Sequence, residues 1–213
     1  TLDNTWAARL DSALFGSYNP FHVDLKDAGQ MQPYMGQRLT LGQIFVDGRM
    51  LTERDKASSL AIRDAQWVHD TLTDDVIVRF PTGKNPENSA VEITVRRQVF
   101  APAIRGLGYI TVKGFIIEHA GNQFPGGFWV DSSCAQRGAL SSSSGHHWLI
   151  ENNVVRWAKN IGIDVGRQTD GVLEGQARPA TVGYCTIRAN IASDNGSAGI
   201  MCYRAPGVVV EHN

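Results

Sequence analysis

Four segments of the chain repeat one pattern of apolar and polar positions. "ITVKGFIIEHAGN" (Ile110 to Asn122), "WLIENNVVRWAKN" (Trp148 to Asn160), "CTIRANIASDNGS" (Cys185 to Ser197) and "VVVEHN" (Val208 to Asn213) superpose without gaps. Val112, Ile150, Ile187 and Val210 fall in one column, and Phe115, Asn153, Asn190 and Asn213 in the column three residues later. A second apolar signal follows two of these strands, in Gly162-Ile163 and Gly199-Ile200. Self-similarity of this kind, with a strand-turn-strand unit of roughly two dozen residues, predicts a right-handed parallel β-helix. The stretch from Ile187 to Val210 is one bare coil. The two longer intervals are coils carrying the insertions "QFPGGFWVDSSCAQRGALSSSSG" and "RQTDGVLEGQARPATVG". Buried aliphatics then stack in the core, and the asparagine column predicts side-chain amides hydrogen-bonded from coil to coil.

The first hundred residues follow a different rhythm. "TLGQIFVDGRMLTE" (Thr40 to Glu53) is two alternating runs around Asp47-Gly48, the signature of a hairpin with a type I′ turn. "QWVHD" (Gln66 to Asp70), "VIVRF" (Val76 to Phe80) and "AVEITVRR" (Ala90 to Arg97) add short strands between polar turns. This spacing predicts a small, Ig-like β-sandwich from about residue 19 to 97. Residues 1–18 are expected to lead in from the β-helix, and 98–213 to form its coils. The chain lacks a capping helix at its start and stops within a repeat, so it is expected to be a portion of a longer protein.

Composition narrows the function. The 213 residues carry a net charge of -1, with a pI near 6.6, and basic residues cluster no further than pairs such as Arg96-Arg97. Nucleic acid is therefore not an expected partner. No apolar run is long enough to span a bilayer, so no membrane partner is expected either. Cys134, Cys185 and Cys202 show no CxxC pairing, which leaves them as buried small hydrophobes rather than a zinc site.

The ordered series "LFGSYNPF", "LGQIFVDGRMLTE", "AVEITVRRQVF", "GYITVKGFIIEHA", "WLIENNVV" and "NIGIDVG" resembles β-helix carbohydrate-active enzymes in which a small sandwich interrupts the helix. The resemblance is to glycoside hydrolase family 120, the β-xylosidases, on a pectate-lyase-like solenoid. It implies a retaining hydrolase with an Asp nucleophile and a Glu acid/base, in motifs resembling "LWLDW" and "FVEVN". Neither motif occurs in this chain, which places the catalytic pair on coils beyond Asn213.

Within the chain, Asp164 and Asp194 are the acids expected at outward positions near the coil strands, and the weak candidates for a catalytic pair. Trp129 is a candidate sugar-stacking platform. His119 and the pair His146 and His147 are candidates for hydrogen bonds to substrate hydroxyls. Arg167, Tyr203 and Arg204 lie where coil strands run into turns, the face on which solenoids gather ligand contacts. Each of these has a plain structural alternative: a solvated acid, a loop anchor, a satisfied histidine or a surface ion pair. Carbohydrate is the expected partner, with no cofactor and no metal. The alternatives are a β-helix polysaccharide lyase, which would call on Ca²⁺, and a non-catalytic carbohydrate-binding or adhesion solenoid. An extracellular or periplasmic setting is expected because polymer substrates are met there.

Overall fold

A computed structural model describes residues 4–23, 39–122, 137–167 and 181–213. The chain divides into two compact units, one reaching to Val95 and the other running from Arg96 to Asn213. Both are built from strands, with helix confined among the described residues to three short 3-10 turns.

The first unit contains β1 (Thr5–Arg9), β2 (Ile44–Val46), β3 (Arg49–Met50), β4 (Thr52–Glu53), β5 (Gln66–Asp70), β6 (Asp75–Arg79) and β7 (Val91–Ile93). They form one sheet in the order β1-β6-β5-β4 and another in the order β3-β2-β7. Asp47 and Gly48 join β2 to β3 with φ of 50° and 72°, the doubly left-handed backbone that a type I′ turn requires. In β6, Val76 and Val78 are buried while their neighbours are half-buried, so one face of the strand turns inward. Ile44 and Val46 from one sheet share a core with Trp67, Val76 and Val78 from the other. Phe21 is fully buried in the same core and meets the Trp67 ring edge-on at 5.4 Å. Thr5–Arg9 corrects the expected lead-in: it pairs antiparallel with β6 along its whole length and is an edge strand of this unit.

The second unit contains β8 (Thr111–Lys113), β9 (Ile116–Glu118), β10 (Gly138–Ser141), β11 (Leu149–Glu151), β12 (Val154–Arg156), β13 (Ile161–Asp164), β14 (Thr186–Arg188), β15 (Ile191–Ser193), β16 (Ala198–Met201) and β17 (Val209–Glu211). They fall into three parallel sheets, ordered β17-β14-β11-β8, β15-β12-β9 and β10-β13-β16. Each sheet gains one strand every time the chain goes round, the progression of a solenoid. Val112, Ile150, Ile187 and Val210 are in register, and the first three are almost fully buried. Gly138–Ser141, read from sequence as part of an insertion, is instead β10. Ala139 and Leu140 are fully buried in the core and the strand pairs with β13, because alanine and leucine gain more from that burial than a loop would give them.

Asparagines tie the coils together. Asn153 Oδ1 accepts the Phe115 N–H at 3.0 Å, Asn190 Oδ1 accepts the Asn153 N–H at 3.0 Å, and Asn213 Oδ1 accepts the Asn190 N–H at 3.0 Å. Their side-chain amides donate to the carbonyls of Val112, Ile150 and Ile187, each at 3.0 Å. A second set does the same at the next corner. There Asn122 Oδ1 accepts the Asn160 N–H at 2.9 Å, and Asn195 Oδ1 accepts the Ala158 N–H at 3.0 Å. Buried backbone that has left its sheet at a turn must find partners, and these amides supply them.

Candidate functional site

The corners of the solenoid carry left-handed residues, and such a backbone sets the side chain apart from the adjoining sheet faces. One corner follows β9, β12 and β15. Glu118, Arg156 and Ser193 are in register there, so the residues after them, His119, Trp157 and Asp194, occupy one corner on successive coils. Their φ angles are 65°, 55° and 53°. The His119 ring stacks on the Trp157 indole at 5.3 Å and 22°. The Arg156 guanidinium lies 4.1 Å from the indole centroid, and its Nε donates to Glu118 at 2.8 Å. Asp194 is exposed. Neighbouring coils are about 4.8 Å apart, so an imidazole, an indole and a carboxylate recur at one-coil intervals. This arrangement offers an aromatic body, a cation and a carboxylate acceptor to a polyhydroxylated ligand.

A second corner holds Tyr109, His147 and Tyr184, with φ of 61°, 54° and 53°. Their rings stack in sequence, Tyr109 on His147 at 4.9 Å and 19°, and His147 on Tyr184 at 5.3 Å and 15°. Tyr109 is 77% exposed and Tyr184 50%. His146 stands beside the stack, its Nδ1 2.8 Å from His147 Nδ1, so one of these nitrogens carries a proton that the other accepts. Tyr109, Tyr184 and Trp157 were not singled out from sequence. The signal was there in Gly108-Tyr109 and Gly183-Tyr184, which repeat one motif at the same place in two coils.

A third group joins residues that the sequence did single out. The Arg167 N–H donates to the Tyr203 carbonyl at 2.7 Å, and the Arg204 guanidinium lies 5.1 Å from the Tyr203 ring. Arg167, Tyr203 and Arg204 thus meet across adjacent coils. Trp129 lies outside the described residues.

Asp164 departs from the outward position expected of it. It is fully buried: Ser141 Oγ donates to its Oδ2 at 3.1 Å and the Gly166 N–H to its Oδ1 at 2.8 Å. All four residues of β13 are buried, so alternation no longer turns every second side chain to solvent, and the carboxylate serves to bind the turn after the strand. Asp164 lies in register with Ser141 and Met201, whereas Asp194 belongs to the corner of His119 and Trp157, so the two acids do not share a column.

Two titratable groups outside these corners are structural. Glu151 accepts from Lys113 at 2.7 Å and from Arg188 Nε at 2.8 Å, one partner on each neighbouring coil. The hydrogen bonds from Lys113 and then Arg188 hold its carboxyl below the ordinary 4.5. Burial pushes the Cys202 thiol up to about 11, which keeps it a thiol. In the first unit His22, His69 and Asp74 bring one donor atom each within 4.8 Å of the others, a grouping of metal-ligand type.

No protein-family model matches the sequence, and no curated protein matches it. Among solved structures, that of XylC in complex with xylose matches with a TM-score of 0.71 and 22% identity, over 89% of this chain. This likeness shows the fold. The match takes in 36% of the XylC chain, so this chain spans about a third of that protein's length.

Proposed function

We propose that the chain is part of a glycoside hydrolase that degrades oligo- or polysaccharides, of retaining and β-xylosidase-like type. In this reading the coils are those of a right-handed parallel β-helix and the first unit is its inserted Ig-like sandwich. The observation that carries the proposal is the fold likeness to XylC, a protein solved with xylose, joined to the ring-and-carboxylate corner of His119, Trp157 and Asp194. Retaining hydrolysis needs two carboxyl groups about 5 to 5.5 Å apart. The burial of Asp164 leaves it no route to an anomeric carbon, so the attacking and protonating groups are proposed to lie on further coils of the parent protein. The role left to this chain is to hold sugar: Trp157 and the exposed tyrosines offer faces and edges for C–H contact, and Asp194, His146, Arg167 and Arg204 offer hydrogen bonds. The proposed setting is extracellular or periplasmic.

The test has two parts. This chain is titrated with xylose and xylo-oligosaccharides by NMR, and Trp157→Ala is expected to weaken binding about tenfold, the loss of one good aromatic contact. The intact parent is then assayed on aryl glycosides, with aryl xyloside expected to release phenol. No turnover on any glycoside removes the hydrolase reading, and ultraviolet absorbance from a new double bond replaces it with a lyase.

A further inference from the structure

The three residues that converge in the first unit come from two places in the chain, a short 3-10 turn and the β5–β6 hairpin. Asn19 caps a short 3-10 turn by accepting the Phe21 N–H at 2.9 Å, with Pro20 at the turn's first position, and so sets His22 on its last residue. His69 is on β5, its side chain only 3% exposed, with its ring against the edge of Phe21 at 6.3 Å. Asp74 sits in the turn before β6 with φ of 61°, held by its own N–H to the Asp70 carbonyl at 2.8 Å. Nε2 of His22 and Nε2 of His69 each stand 2.8 Å from the same oxygen, Asp74 Oδ1. The two imidazoles stack at 5.6 Å and 27°.

With both rings as Nε2–H tautomers, each imidazole can donate to Asp74 Oδ1. His22 Nε2 also stands 3.2 Å from the Asn19 side-chain nitrogen, and one ring nitrogen cannot accept that N–H while donating to Asp74. On the far side of the His69 ring, Nδ1 is buried without a hydrogen-bond partner among the described residues, so the ring's polar engagement is all through Nε2. A cation would take the place of both ring N–H donors at the shared oxygen, and it would likewise occupy the His22 Nε2 lone pair that the Asn19 amide faces. It needs no N–H from either ring, only two imidazole lone pairs and a carboxylate oxygen, and those are what converge.

We propose that His22, His69 and Asp74 form a Zn²⁺ site. Two imidazoles and one carboxylate suit a first-row transition ion of borderline softness and not Ca²⁺, which takes oxygen ligands. Buried His69 provides a fixed ligand, while His22 and Asp74, 54% and 40% exposed, can close on the ion and leave a position for water. His22 also lines a cavity of about 380 Å³ with Phe15, Tyr18 and Asn19, which opens that side to an arriving ion. The site ties the 3-10 turn to the β5–β6 hairpin.

Equilibrium dialysis of the tag-free chain against Zn²⁺ tests this, with Co²⁺ as a visible-absorption reporter of the ligand set. Wild type is expected to hold one Zn²⁺ per chain. His22→Ala and Asp74→Asn are expected to weaken it by at least about tenfold, the scale on which metal sites respond to lost supporting contacts. Both changes are at exposed side chains, and asparagine tolerates the left-handed backbone at 74, so circular dichroism is expected to show both variants folded. His147→Ala, in the other unit, is expected to bind as wild type does. Absence of uptake by wild type, full affinity in the two site variants, or loss in His147→Ala each overturns the proposal.

Discussion

Asn190 shows how much one side chain does in a solenoid. Its carbonyl oxygen accepts from both nitrogens of Asn153, and its amide donates to Ile150, Arg188 and Asn213. Alanine at this nearly buried position strands those groups away from water, so Asn190→Ala is expected to cost about 2 to 4 kcal/mol in urea unfolding. Glu151 acts through charge. With its carboxyl held below 4.5 in the folded chain, the unfolded chain binds more protons near that pH, and folding is favoured above it. That contribution is lost as pH falls through the depressed folded value. The stability gap between wild type and Glu151→Gln, read as urea midpoints, is therefore expected to be full near about pH 6 and to close in acid.

Among the elements, the turns discriminate more sharply than the strands. At Gly183, φ is 92° and an added Cβ would stand 2.4 Å from the Pro206 carbonyl oxygen. Gly183→Ala is expected to destabilise the coils by about 2 kcal/mol or more, from backbone strain and collision together. Gly114, with φ of 78° and open space around its Cβ position, provides the contrast. The next coils carry Asn152, Ala189 and His212 there, all left-handed, so Gly114→Asn is expected to change the same midpoint by less than about 1 kcal/mol. Which elements could be read from sequence follows from the same physics. The aliphatic column and the asparagines of 153, 190 and 213 were legible because burial and a buried turn admit few residue types, so identical letters recur. The ladder through Asn122, Asn160 and Asn195 was not, since Asn195 falls two residues before Ser197, the residue that aligns with Asn160, and reaches its partner from a different place. Asp164 was misread because a strand buried throughout its length breaks the in-out alternation on which the reading relied. The cluster of His22, His69 and Asp74 had no motif to betray it, for a capped turn brings His22 to a hairpin about fifty residues further along the chain.

At the scale of the whole molecule, the two buried clusters have no residue in common. Ile150→Ala, in the second unit and fully buried, is expected to cost about 3 kcal/mol. In hydrogen exchange the loss of protection is expected in β11 and the strands paired with it, with β5 and β6 retaining theirs. Uniform loss across both units would show the chain to unfold as one block.

Phe115, Asn153, Asn190 and Asn213 are joined at separations of 38, 37 and 23 residues, yet the strands beside them stay in one register. The extra length falls outside the paired strands, between β9 and β10 in one case and between β13 and β14 in the other. Chain length and strand alignment are thereby uncoupled. A lineage built on such a frame can acquire, trade or discard a whole loop in one genetic event without renegotiating its core, so the parts that face a substrate and the parts that hold the fold can have separate histories.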